Sequence, residues 1–339
     1  RENALNAFNQ KDWAVAHQRL SELLSVNGTD TELQMRYAVT LLHDGQMRPE
    51  GIQRLASLWE ELEGSPSPEL AFWWGKAWML QGEGLEAQRW LKVALAGAPK
   101  KASWKDEANV ALAQSERLPE GFDWRQELVK LDGFELPQRS FHRYISWSRE
   151  ATRLMATPEE LKSKVDSKLG LYAPIAFSRP DGVLYHHSIS GKGETGSDVF
   201  VAELSEGGFV HHHPLPAPVN SAFEEKNPVW DASRQTLFFS SNRPGTMGGF
   251  DLFQTQWDGS RWSNPVPLGP LFNSVHDDLA IYPASEAYSG WLVTNREGVF
   301  GAPEVWEFEL DGPPQRPVVL TTQWEVDGQV VPGTLEVYD

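Results

Sequence analysis

The chain has no cysteine. That excludes disulfides, thiolate metal sites and a cysteine nucleophile, though it does not fix the compartment. Basic charge is in short supply: 30 Lys and Arg stand against 47 Asp and Glu, for a net charge of −17. An acidic surface repels phosphate backbones, so nucleic acid is not an expected partner. No stretch approaches the roughly 18 consecutive apolar residues that a membrane-spanning helix needs. There is no Gly-x-Ser-x-Gly nucleophile elbow. The glycine-rich stretches lack the Lys-Ser/Thr that ends a phosphate-binding loop. The sequence opens at Arg1-Glu2-Asn3 with neither Met nor an apolar leader, which fits a removed signal or a trimmed end and leaves targeting invisible.

What is present divides into unlike parts. A length of 339 residues fits two or three domains. Residues 1–120 carry −4 of the charge, with 13 basic and 17 acidic residues, and show no strand alternation. Their apolar residues recur at i, i+3, i+4 and i+7, a helical period. The clearest segment, Leu70 to Leu80, runs into Gln81-Gly82-Glu83-Gly84, and a second helix with Ala87, Trp90, Leu91 and Ala94 follows. Gly97-Ala98-Pro99 stops it. Tyr37 to Leu42, the turn at Gly45, and Ile52, Leu55, Ala56 and Trp59 repeat the plan, and Asn3 to Leu24 is a weaker third copy. Residues 103–117 read as a capping helix. Residues 2–117 should therefore form paired antiparallel helices with Trp74, Trp78 and Trp90 mostly buried. The region resembles the tetratricopeptide repeat, with a spacing a few residues longer. For Trp73, Trp74, Trp78 and Trp90 the structural reading is helix packing, and the functional one is a concave groove for a partner peptide or helix.

Beyond Pro119-Glu120-Gly121 the chain repeats with a period of 53: Asp198, Asp251 and Glu304 open equivalent strands at positions 198, 251 and 304. Asn220-Ser221 recurs as Asn273-Ser274, and Asn242-Arg243 as Asn295-Arg296, at the same spacing. Each unit holds four strand-like runs, in the best unit near 227–230, 236–240, 250–257 and 264–268. That is the blade of a β-propeller. Trp147 and Leu154 suggest an abbreviated first blade, followed by a helix from Pro158. Leu128 to Leu131 should pair with 304–310, completing the last blade and joining the two ends of the propeller, which would then have about four blades.

The stretch Ser240-Ser241-Asn242-Arg243-Pro244-Gly245 through Gly248-Gly249-Phe250-Asp251-Leu252, with Trp262 to Val266, resembles the WD40-like (PD40) repeat shared with TolB-like propellers. Because the loop recurs, its expected role is architectural rather than ligand-binding. Val326 to Val337 resembles the opening of a carboxypeptidase-regulatory-like β-sandwich. The expected domains are therefore 1–120, a TPR-like α-solenoid; 121–316, the propeller; and 317–339, the start of the sandwich. This order is similar to that of the PorE-like periplasmic lipoproteins of the Bacteroidota type 9 secretion system. The resemblance implies a non-catalytic periplasmic scaffold associated with the outer membrane. Its implied partners are envelope proteins: an outer-membrane protein of the PorP type and other secretion or gliding-motility components. These 339 residues hold neither the family's acylated N-terminal Cys nor its OmpA-like domain, so lipid anchoring and peptidoglycan binding do not carry over.

The candidate partner-binding residues are Tyr37, Trp73, Trp74, Arg243 and Arg296. No catalytic residue, cofactor or metal is assigned. His186-His187 and His211-His212-His213 are the obvious metal candidates, but adjacent strand residues alternate faces and cannot converge on one ion. Glu224-Glu225 and Asp277-Asp278 could serve glycoside hydrolysis or calcium, yet their recurrence favours structure. Asp258-Gly259-Ser260-Arg261-Trp262 faintly resembles a sialidase Asp-box and reads as a turn. The competing reading is a propeller enzyme or lectin acting on a glycan or peptide.

Overall fold

The computed structural model describes residues 1–62, 67–119, 128–135, 148–149, 152–170, 174–178, 183–189, 196–284, 289–310, 318–326 and 329–337. A helical N-terminal region is followed by antiparallel sheets. The helices are α1 (Glu2–Asn9), α2 (Trp13–Val26), α3 (Thr31–Leu42), α4 (Arg48–Glu61), α5 (Pro68–Leu80), α6 (Gly84–Gly97) and α7 (Lys105–Ser115). Local chemistry sets their starts. Asp12, Asp30 and Ser67 accept from the backbone N–H groups of Val15, Leu33 and Leu70, and Pro68 fills a first-turn position that needs no N–H. No described residue between 2 and 117 is in a strand.

One apolar cluster runs through this region, from Phe8 and Leu20 through Leu33, Leu42 and Leu55 to Phe72, Leu91 and Ala108. Helices α3 and α4 approach closely at Gly51, where an added Cβ would lie 2.8 Å from the Ala38 carbonyl oxygen and 2.9 Å from Leu41 Cβ. The tryptophans depart from expectation. Trp73 is buried, but Trp74, Trp78 and Trp90 are only half-buried. Leu70, Ala71, Phe72 and Trp73 of α5 fill the core, and Trp74 and Trp78, one turn apart, pack at its margin. Trp74 and Trp78 cover each other instead, with ring centroids 5.6 Å apart, and Trp90 packs on Trp59 at 4.4 Å.

The first sheet has the order β2-β3-β4-β5-β6-β7: Ser148–Arg149, Thr152–Ala156, Pro174–Ser178, Val183–Ile189, Ser197–Ser205 and Gly208–Pro214. The second is β11-β10-β9-β8: Val266–Pro267, Asp251–Gln256, Thr236–Ser241 and Glu225–Asp231. The third is β1-β14-β13-β12: Val129–Glu135, Glu304–Glu309, Ser289–Thr294 and Asp278–Pro283. A separate hairpin pairs β15 (Val318–Val326) with β16 (Gln329–Val337). Strands β6, β10 and β14 begin at or beside residues 198, 251 and 304, so the period of 53 is the period of the sheets.

Strand β1 precedes the first sheet in the chain yet pairs antiparallel with β14, Val129 opposite Glu309 and Glu135 opposite Glu304. The pairing expected for Leu128 to Leu131 is thus present. The abbreviated first blade is not. Strand β3 pairs with β4 from Thr152–Ser178 to Ala156–Pro174, so β2 and β3 extend the first sheet rather than stand alone. The unpaired edge of β4 was available, and joining it satisfies backbone groups that a two-stranded unit would leave open. Trp147 lies outside the described residues. A 3-10 turn (Glu159–Leu161) and α8 (Lys164–Leu169) follow β3, where a helix was expected. Among the described residues no closed propeller ring is detected.

Core side chains bind neighbouring sheets together. Tyr185 and Val199 of the first sheet pack with Trp230, Leu237 and Phe253 of the second. Val229, Phe238 and Leu252 of the second pack with Ala280, Tyr282, Leu292 and Trp306 of the third, and Leu154 of β3 packs on that same cluster. The Gly51→Ala variant tests the helix packing. Alanine is the better helix former by ~1 kcal/mol, but the crowded Cβ should destabilise the chain by a net ~1–3 kcal/mol in urea unfolding.

Candidate functional site

The loops that recur every 53 residues are organised by buried carboxylates. In the second sheet Glu225 accepts from Ser221 N (2.9 Å), Ser221 Oγ (2.6 Å), Ser241 Oγ (2.8 Å) and an Arg243 guanidinium nitrogen (3.0 Å). In the third, Asp278 accepts from Ser274 N (2.7 Å), Ser274 Oγ (2.9 Å), Thr294 Oγ1 (2.8 Å) and Arg296 Nε (3.0 Å). Burial pushes the Asp278 carboxyl upward, and Arg296, Thr294 and Ser274 oppose it. The landmark asparagines fasten the same loops. Asn220 bridges the N–H and C=O of Val199, as Asn273 does those of Leu252. Asn242 accepts from Glu224 N and Asn295 from Asp277 N.

The first sheet has the same arrangement built from a different part of the chain. Ser188 is 53 residues before Ser241. Its hydroxyl donates to Asp166, which belongs to α8 rather than to a strand. Asp166 also accepts from Ile189 N at 3.0 Å and from Ser163 N at 2.9 Å in a capping box. Burial alone would raise its pKa, but these donors hold it below the ordinary carboxylate value.

The helical region sits on the loops of the second and third sheets. Gly45 N donates to Gly298 O at 3.3 Å. The buried Arg48 guanidinium donates to the Arg296 carbonyl at 2.8 Å and to Leu42 O at 3.0 Å. Gln114 at the end of α7 donates to the Gly248 carbonyl. Val275 packs on the helical core, and Phe300 lies 5.2 Å from the ring of His17. An added Cβ at Gly45 would fall 2.1 Å from the Glu297 carbonyl oxygen, so this turn must be glycine for the two parts to meet.

Charged and neutral groups alternate around this contact. Burial opposes ionisation of Glu107, but Lys76 (2.8 Å) and Lys11 (2.9 Å) hold its pKa down to about 2. His43 stacks on Trp13 at 3.9 Å, and burial together with Lys76 lowers its pKa to about 3. Burial, Arg48 and Arg296 likewise hold His276 neutral.

The five candidate partner-binding residues part company here. Trp73 lies in the helical core, and the Arg296 side chain is only 1% exposed beneath the docked helical region; both belong to the interior. Tyr37 is half-buried, with one face on His17 at 5.0 Å and the Arg54 guanidinium 5.2 Å from its centroid. Trp74 is half-buried, and the Arg243 side chain is 14% exposed. The structure brings Arg243 and Arg296 to equivalent stations and leaves the three aromatic residues apart from them. Sequence reasoning missed His17, Arg48, Gln114 and His276 at the contact; only the glycine of the turn at Gly45 had been marked, as a helix connection.

Among the described residues no group of three His, Asp or Glu side chains could hold a metal. The histidines have other partners. His186 Nε2 faces His212 Nε2 at 3.0 Å, and His211 contacts Glu203 at 2.9 Å. Asp258 caps its own turn by accepting from Ser260 and Arg261.

No family model matches the chain, and no curated protein matches it.

Three variants probe the site. Gly45→Ala should part the helical region from the sheets without unfolding either, splitting one calorimetric transition into two. Arg296→Met should cost ~3–5 kcal/mol, because it leaves Asp278 buried without its cation. Arg243→Met should cost less, since solvent reaches that pair; chemical denaturation measures both.

Proposed function

We propose that this chain is a non-catalytic protein-binding scaffold, with a TPR-like helical array and a PD40-type propeller half held as one body. The observation that supports it best is the use made of the repeat carboxylates. Glu225 and Asp278, the recurring carboxylates that could have served glycoside hydrolysis or calcium, each accept four hydrogen bonds from the loops around them. Catalytic carboxylates need a free oxygen toward substrate, whereas these spend theirs on shaping loops. The recurring loops in turn present surface for protein contact.

The resemblance of the PD40 stretch and of the domain order extends the proposal to a periplasmic setting at the outer membrane. No helix among the described residues is long and apolar enough to cross a membrane; the association proposed is through partner proteins. The partner class proposed is an envelope protein, a PorP-type outer-membrane protein first. Tyr37, Trp74 and Arg243 keep accessible surface and are the residues proposed to touch it.

Surface plasmon resonance against a detergent-solubilised PorP-type protein tests this. Binding should occur, and Tyr37→Ala, Trp74→Ala or Arg243→Ala should weaken at least one contact by ~30-fold, the effect of a typical interface hot spot. Absence of binding overturns the reading. So does turnover of a glycan or peptide that Asp278→Asn abolishes while the fold persists.

A further inference from the structure

Asn227 of β8 reaches both flanking sheets through hydrogen bonds. Its side-chain Nδ2 donates to the Leu279 carbonyl of the third sheet at 2.8 Å. Its backbone N–H donates to His187 Nδ1 of the first sheet at 3.0 Å. The backbone adopts a left-handed conformation (φ 50°), which asparagine tolerates better than most residues, and the β8–β9 register shifts between Lys226 and Val229. Positions 174 and 280, 53 residues to either side, are Pro and Ala, so this staple does not belong to the repeat.

A backbone N–H can only donate. His187 Nδ1 must therefore carry a lone pair, and the neutral ring keeps its proton on Nε2. We propose that the junction between the first and second sheets is an acid-operated latch, in which protonation of His187 at Nδ1 turns the acceptor of the Asn227 N–H into a donor and releases one sheet from the other. The step forms an N–H bond with a solvent proton and breaks one hydrogen bond.

The surroundings fit a latch that is closed near neutrality. From β8, Lys226 opposes a charge on His187. From its own strand, His186 does the same. Val199 stands opposite it on β6 and gives no compensating charge. Asp166 on α8 favours protonation, but its oxygens are engaged by Ser163, Ser188 and Ile189. The neighbouring pair adds to the effect. His186 Nδ1 lies 3.3 Å from the His187 carbonyl, to which it can only donate, so its Nε2 accepts from His212 Nε2 at 3.0 Å. Two protonated nitrogens cannot share that gap, and His213 further disfavours charge on His212. Burial first, then these neighbours, lowers His187 to about 3 and His186 to about 4. Both folded values lie below the ordinary 6.5. The junction is therefore at full strength above pH 6.5 and weakens as the pH falls from there toward 4.

Hydrogen exchange followed by mass spectrometry, corrected for intrinsic pH dependence, reads the latch in peptides covering 183–189 and 225–231. Each proton taken up on opening should cost protection ~10-fold per pH unit below ~6.5. His187→Asn keeps an acceptor that does not titrate, and it should remove this component while leaving protection at pH 7.5 close to that of the parent. Protection that stays constant between pH 7.5 and 5, or an acid dependence identical in the variant, overturns the proposal. Nitrogen NMR of the unaltered protein decides the matter should the variant not fold. His187 must be neutral and protonated on Nε2 at pH 7; an Nδ1–H or charged ring there also overturns it.

Discussion

A carboxylate removed from water must be surrounded by donors, and this constraint shapes the β half of the molecule. Glu225 and Asp278 each gather a serine four residues upstream, a second hydroxyl from the end of the next strand and an arginine just beyond it. The donors come from separate loops, so each carboxylate ties the start of one strand to the turn after the next. The arginines then reach back to loop carbonyls, Arg243 to Val219 O at 2.6 Å and Arg296 to Leu271 O at 3.3 Å. Removing one partner would leave the others buried and unsatisfied, which is why such a station is rebuilt in each sheet rather than dispersed.

The third station has an additional consequence. With its side chain fixed on Asp278, Arg296 presents its carbonyl to Arg48 of the helical region. The loop around Val275 and His276 then lies against the helices, where Arg48 and Lys76 both act on His276. Part of the surface of the helical region is thus contacted by the chain's own loop. Any partner of the intact protein meets the surface that remains.

The sequence made the period of 53 legible because the residues that repeat are those whose geometry is least replaceable. Asn220 and Asn273, and Asn242 and Asn295, make matching backbone hydrogen bonds that no other side chain of that size supplies. The pairing of β1 with β14 was legible for a related reason: Leu128 to Leu131 resembles Val266-Pro267-Leu268, the outer strand that precedes Asn273-Ser274. Other features left no such trace. Asp166 serves the first sheet from a helix, out of register with Glu225 and Asp278, so no spacing pointed to it. The merging of β2 and β3 into the first sheet depends on which edge is free, not on the pattern of either strand. Arg296 stood among the candidate partner-binding residues, yet it is buried, because a periodic pattern cannot say what docks on the loop.

The central claim is that the carboxylate station of the third sheet positions the loop that holds the helical region. Hydrogen exchange at residues 43–48 in Asp278→Asn, compared with Glu225→Gln, tests it most directly. The turn at Gly45 lies 233 positions from Asp278 in sequence. Loss of protection at 43–48 in Asp278→Asn, with 43–48 unchanged in Glu225→Gln, is the predicted result. Loss confined to residues near Asp278, or equal loss at 43–48 in both variants, would contradict it.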